Sequence, residues 1–178
     1  VLFGFGRIGR LAARELIRQA GKGQQLRLRA IVTRKVDEQQ MIKRAALLEN
    51  DSVHGRFAGS IELDMERQCM IINGQRIQMI GSNDPSTIDY ESHGISNALL
   101  IDNTGAYRDK EALSLHLKAK GIEKVILTAP GKGIPNVVYG INHRDLDIAN
   151  GEIFSAASCT TNAISPILKV IDDQFGIE

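Results

Sequence analysis

The chain has 178 residues, with 22 Lys+Arg against 21 Asp+Glu, 43% hydrophobic residues and 24% charged. That hydrophobic share supplies a packed core and excludes wholesale disorder, and the length fits roughly one domain with room for a long insertion. The balanced charge gives no general attraction to nucleic acid or acidic lipid, no apolar run nears the ~18 residues of a membrane span, and no charged-then-apolar N-terminus suggests a signal peptide.

Val1-Leu2-Phe3 reads as the end of a buried strand. It is reached without an initiator Met, and Glu178 follows directly on an apolar, helix-like segment, so a fragment of a longer chain is expected. Ile8, Leu11, Ala12 and Leu16 recur at helical spacing, and Gly21-Lys22-Gly23 is predicted to stop that helix. Leu26 to Val32 alternates like a strand, which completes a βαβ unit and favours a parallel sheet. Asp37 to Leu48 reads as a second helix with Met41, Ile42, Ala45 and Leu48 on one face. Three short β-rich pieces follow, Ile61 to Met65, Met70 to Ile72 and Gln75 to Ile80, with Asn73-Gly74 as a two-residue hairpin turn. The βα rhythm then returns. Ala98 to Ile101 is a strand, Asp109 to Lys120 a helix closed by Gly121, and Val125 to Leu127, Val137 to Ile141 and Ile153-Phe154 are further strands. Thr161 to Phe175 is a final helix, with Pro166 early enough to bend its first turns. The expected architecture is α/β: a doubly wound, Rossmann-like, mostly parallel sheet with a small antiparallel excursion.

Two motifs carry chemistry. Gly4-Phe5-Gly6-Arg7-Ile8-Gly9 fits G-x-G-x-x-G between a strand and a helix. The first glycine permits the turn, the second admits a pyrophosphate to the backbone, the third lets helix and strand pack, and the helix N-terminus faces the phosphates. A tight βα turn without ligand is the plainer alternative. At the end of the second strand, where NAD sites usually carry an acid for the ribose, stands Thr33-Arg34-Lys35. The two cations favour acceptance of NADP beside NAD; a solvated surface pair is the alternative.

The second motif is Ser158-Cys159-Thr160-Thr161-Asn162, where a strand hands over to a helix. A helix N-terminus favours a thiolate and so a nucleophile, and flanking hydroxyls suit a phosphate or oxyanion. A buried cysteine with ordinary Ser and Thr caps is the alternative. Cys69 has no activating neighbour and reads as structural. His54, His93 and His143 fall in loops and His116 on a helix; any one could pair with Cys159 in space, but none has a motif behind it and a surface histidine is the plainer reading. Two cysteines make no disulfide framework, so a reducing, cytoplasmic compartment is expected.

Taken together, GFGRIGR, NDSVHGRF (50–57), NDPSTI (83–88), DNTGAY (102–107), LTAPGK, GINH and SAASCTTNAISPILKVIDDQFGI from Ser155 resemble the phosphorylating glyceraldehyde-3-phosphate dehydrogenase family over essentially the whole chain. The match corresponds to that family's N-terminal cofactor-binding part and stops just after its catalytic cysteine. The resemblance implies a dinucleotide-binding domain at 1–157, and a segment at 158–178 that begins the catalytic domain. It implies Cys159 as the nucleophile that attacks a sugar-phosphate aldehyde, with a thiohemiacetal and then a thioester released by inorganic phosphate. Ser158 and Thr160 match substrate or phosphate positions. Gly4, Phe5, Gly6, Arg7, Ile8 and Gly9 match the pyrophosphate turn, Thr104, Gly105 and Thr128 the adenosine half, and Asn162 sits beside the nucleophile. The usual Asn before the first glycine is Phe3, the usual ribose-binding Asp is Thr33, the usual Arg near the adenine is Asn83, and a frequent second cysteine is Ala163. These departures imply altered dinucleotide preference, NAD or NADP. The family's general base and substrate-phosphate arginines would lie downstream, so this piece alone is expected to be inactive, and a homotetramer is implied for the full length. Erythrose-4-phosphate dehydrogenase and a non-catalytic nucleotide-binding module are the competing readings.

Overall fold

The computed structural model describes residues 1–20 and 26–177. The expected helix stop at Gly21-Lys22-Gly23 lies outside the described residues. The strands are β1 (Leu2–Phe3), β2 (Ala30–Thr33), β3 (Asn50–Asp51), β4 (Gly55–Arg56), β5 (Ile61–Asp64), β6 (Cys69–Ile72), β7 (Gln75–Gly81), β8 (Ala98–Asp102), β9 (Ile122–Leu127) and β10 (Ile153–Ser155). The helices are α1 (Arg7–Gln19), α2 (Glu38–Glu49), α3 (Lys110–Leu117) and α4 (Cys159–Phe175).

Eight strands form one sheet in the order β10-β9-β8-β1-β2-β7-β6-β5. The six from β10 to β7 are parallel, and β6 and β5 continue the same sheet antiparallel. The antiparallel excursion is therefore the sheet's outer edge. Asn73 and Gly74 at its turn have φ of 49° and 77°, the positive pair that a type I′ hairpin requires. A separate two-stranded sheet joins β3 and β4.

Side chains alternate across the pleat and build a core on each face. Leu2 and Ile31 join Ala13, Ile17, Met41 and Leu48 of α1 and α2 on one side. Phe3, Ala30, Val32, Leu100 and Val125 join Leu113 of α3 on the other. Helices on both faces of a parallel sheet make it doubly wound, and the order reverses at β1, with β2 to one side and β8 to the other.

Three details differ from expectation. Residues 137–141 form no strand. Val137 N–H reaches Ser155 O at 2.7 Å, but Asn142 Oδ1 then captures Val138 N–H at 2.8 Å and Gly140 turns the chain at φ 86°. Residues 26–29 join no ladder, and β2 begins at Ala30. Ile8 and Ile42, placed on buried helix faces, are 52% and 51% exposed.

Candidate dinucleotide crevice and cysteine turn

Parallel strands deliver all their C-terminal ends to one edge of the sheet, and every candidate residue falls there. Gly4 follows β1, Thr33 ends β2, Asn103-Thr104 follow β8, Thr128 follows β9 and Ser158 follows β10. The ends of β1, β2, β7 and β8 enclose a crevice of about 470 Å³, which includes Gly4, Phe5, Gly6, Thr33, Arg34 and Thr104 in its wall.

The three glycines have different reasons to be there. Gly4 has φ +90°, and a Cβ on it would meet Thr104 Cγ2 at 2.7 Å. A Cβ on Gly9 would strike Gly4 O, so this glycine lets α1 lie against the turn. Gly6 is unlike both. Its backbone is extended (φ −75°, ψ −164°) and a Cβ would meet nothing within 4 Å. Nothing in the protein demands glycine at that position, whereas a diphosphate lying on the backbone does. Gly6 is also the N-cap of α1 and offers no side-chain cap, and the first turn holds no acid. The N–H groups of Arg7, Ile8 and Gly9 are thus left at a positive helix end. The Arg7 side chain turns away, with Nη2 donating to Ser52 Oγ at 2.9 Å and Nε 3.5 Å from Asp51.

At the other end of the crevice, Thr33 is buried and its hydroxyl donates to Lys35 O at 3.0 Å. Lys35 is not free: its ammonium sits 2.8 Å from Asp37, the N-cap of α2. A different cation takes its place. Arg44 of α2 lines the crevice beside Arg34, with Nη1 donating to Phe5 O at 2.9 Å. Burial, then Arg10 and Arg34, push its guanidinium below the ordinary value.

Thr104 is held by Asp102, whose Oδ1 accepts from its N–H and its hydroxyl, both at 2.7 Å. The other oxygen of Asp102 lies 2.8 Å from His116 Nε2, with both side chains fully buried. His116 is therefore no surface histidine. It faces inward from α3, edge-on to Phe3 and Tyr107, and anchors the carboxylate that positions Thr104. Thr128 and Gly105 flank the crevice without forming its wall. The Thr128 hydroxyl donates to Asp102 O at 3.0 Å, and Gly105, at φ +68°, gives its carbonyl to Arg108 Nε at 2.7 Å.

The cysteine turn lies further along the same edge. Ser155 Oγ donates to Ala129 O and accepts from Ala157 N–H, fixing Ala157 at φ 57°. Ser158 then caps α4, accepting Thr161 N–H at 2.9 Å, and Cys159 is the first helical residue, exposed. Asn162 donates to Ala156 O and Ser158 O at 2.7 and 2.9 Å and so clamps the turn. Thr160 is exposed, its hydroxyl 3.9 Å from the sulfur. Cys69, by contrast, is buried in β6 with its thiol raised by desolvation. Three strand spacings separate β10 from β1, roughly 14 Å.

Arg44, Asn103 and Tyr107 of the crevice escaped the sequence reading. Asn103 and Tyr107 stood inside DNTGAY, but Arg44 had no signal: it sits mid-helix among ordinary polar positions.

This fold and crevice define a nucleotide-binding α/β domain of the doubly wound class. The family model described as glyceraldehyde 3-phosphate dehydrogenase, NAD binding domain, matches residues 1–110, and the chain belongs to that family. Similar proteins carry related names. A "Glyceraldehyde-3-phosphate dehydrogenase-like protein" of Pseudomonas aeruginosa is 60% identical over 99% of this chain and 38% of its own length. Glyceraldehyde-3-phosphate dehydrogenases of Zymomonas mobilis and Bacteroides fragilis are 38% and 37% identical, each over 98% of this chain and 49% of their own length. The chain spans about half or less of the length of these relatives.

Proposed function

We propose that this chain is the cofactor-binding part of an NAD(P)-dependent dehydrogenase that oxidises glyceraldehyde 3-phosphate with uptake of inorganic phosphate. The observation that carries the reading is Gly6, a glycine the fold does not need, at the mouth of a helix whose first N–H groups have no side-chain cap. The dinucleotide, when bound, supplies the hydride acceptor. The chain's own residues do the rest. Arg7, Ile8 and Gly9 present backbone N–H groups to the diphosphate, and Asp102 fixes Thr104 against the adenosine half. Cys159, the exposed first residue of α4, adds its sulfur to the aldehyde carbon, and the thiol proton passes to the carbonyl oxygen. Ser158 and Thr160 offer hydroxyls to phosphate, and Asn162 holds the turn that aims the sulfur.

Among the described residues the sulfur's one recorded polar contact is the Thr160 hydroxyl, and no histidine stands against it. We assign the general base to the part that the longer relatives have beyond the match, and this piece alone is expected to be inactive. The test is calorimetric titration with NAD⁺ and NADP⁺, followed by alkylation of Cys159. Saturable binding of at least one dinucleotide, with protection or acceleration of alkylation, supports the reading. Binding of neither defeats it.

A further inference from the structure

We infer that Arg34 and Arg44 form a subsite for a phosphate monoester on the adenosine ribose, so that the crevice selects NADP(H) over NAD(H). The inference rests on the dinucleotide reading above and specifies which cofactor it takes.

The charge inventory of the crevice is one-sided. Two guanidinium groups belong to its wall, and no aspartate or glutamate does. The carboxylates nearest in sequence are engaged elsewhere. Asp37 accepts from the Gln40 N–H at 2.8 Å and pairs with Lys35, while Asp84 accepts from the Ser86 N–H and hydroxyl. Arg44 is not a loose surface cation. Its Nη1 is bolted to the carbonyl of Phe5 in the glycine turn, and its Nε is buried with no hydrogen-bond partner. Arg10 and Arg34 stand near enough to disfavour its charge, and whereas Arg10 has Asp51 3.8 Å away, no carboxylate among the described residues pairs with Arg34 or Arg44. An unpaired, partly desolvated charge of this kind is costly unless something neutralises it.

The position says what that ligand is. Thr33 ends β2, where an acid would accept from the ribose 2′-hydroxyl in an NAD site and would repel a 2′-phosphate. Its hydroxyl is committed to Lys35 O, which leaves Arg34 and Arg44 to meet whatever the ribose carries. Guanidinium groups bind phosphate by paired, charge-assisted hydrogen bonds. Lys35, the obvious second cation in the sequence, is withdrawn by Asp37.

The test is calorimetric titration of the full chain with NADP⁺, NAD⁺, adenosine 2′,5′-bisphosphate and 5′-AMP, repeated on Arg44→Met, Arg34→Met and Thr33→Asp. Circular dichroism melting confirms that each variant folds, and exposed Arg34 provides a second probe should Arg44→Met fail to fold. The wild type is expected to bind NADP⁺ at least tenfold tighter than NAD⁺, and the bisphosphate tighter than 5′-AMP. Each arginine substitution is expected to cost NADP⁺ about ten- to a hundredfold and NAD⁺ less than about threefold. Thr33→Asp is expected to reverse the preference. Equal losses for both dinucleotides would place Arg44 on the shared diphosphate and overturn the inference. So would a wild type that prefers NAD⁺, or arginine variants without effect. Binding of neither dinucleotide would instead remove the dinucleotide reading itself.

Discussion

Gly4 and Gly9 answer to the fold, whereas Gly6 answers, on the reading proposed above, to the ligand. An alanine at Gly4 must adopt a positive φ and push Thr104 aside, and one at Gly9 drives into the glycine turn's own carbonyl. Each is expected to destabilise the fold by about 1–3 kcal/mol. Gly6→Ala keeps an allowed backbone and meets open space, so its cost is that of a poorer N-cap, under about 1 kcal/mol. Its penalty falls on the dinucleotide instead, with at least a tenfold loss of affinity expected by calorimetry. A Gly6→Ala protein that binds as the wild type does would show that no ligand backs onto this turn. The buried Asp102–His116 pair makes the converse case, a polar contact that serves architecture. His116→Phe retains a ring among Phe3 and Tyr107 but removes the donor facing Asp102. Leaving Asp102 Oδ2 without that partner, while Oδ1 keeps its bonds from Thr104, is expected to cost about 1–3 kcal/mol in a urea unfolding series. An unchanged stability would mean that ring packing, and not the polar contact, is what holds this position.

Among the elements, the turn joining α2 to β4 is held by one carboxylate. Asp51 accepts from the N–H groups of Val53 and His54 and from the His54 ring, and Arg7 and Arg10 lie within 3.8 Å. These bonds, the backbone ones first, hold its pKa well below the usual carboxylate range. A folded-state pKa below the unfolded one, about 3.9, means that the stabilisation is complete above roughly pH 5 and fades as acid drives the folded group to protonate. Asp37, Asp64, Asp84, Asp89 and Asp147 are shifted the same way and add to the slope. The urea midpoint, followed by circular dichroism because the chain has no Trp, is expected to fall between pH 5 and 3. Asp51→Asn should fall less steeply, and an unaltered slope would contradict the assignment. Most of these elements were legible in the sequence, because period-two and helical patterns, Asp37 and Asp109 as N-caps and Asn73-Gly74 act locally. Residues 137–141 were misread because a side chain, Asn142, intercepts a strand-like run. Arg44 and the Asp102–His116 pair were illegible for a related reason. Each depends on which elements the sheet order brings together, across 39 and 14 residues of chain respectively, and no local pattern records that.

For the molecule as a whole, α4 is the element that stands outside the core. Burial ends at Ala157, and no residue of α4 is buried. Yet Ile164, Ile167, Leu168, Ile171 and Phe175 recur at the spacing of a core-facing stripe, and they are between 43% and 86% exposed. A stripe of that kind on a helix of this length is a surface made to be covered. The relatives are about twice as long or longer, and on the reading proposed above the part of them beyond the match is the occupant. Charging the stripe separates the two possible hosts. In the chain of 178 residues, Ile167→Lys with Ile171→Lys is expected to leave the unfolding free energy from a urea series within about 0.5 kcal/mol of the wild type, since no residue of α4 is buried. Binding of a dye specific for exposed apolar surface should fall. In a protein of the relatives' full length the same pair buries two charges and is expected to cost several kcal/mol, with loss of dehydrogenase turnover. A large loss of stability in the shorter chain would show that α4 packs on its own sheet, and would overturn the proposed division at 157/158.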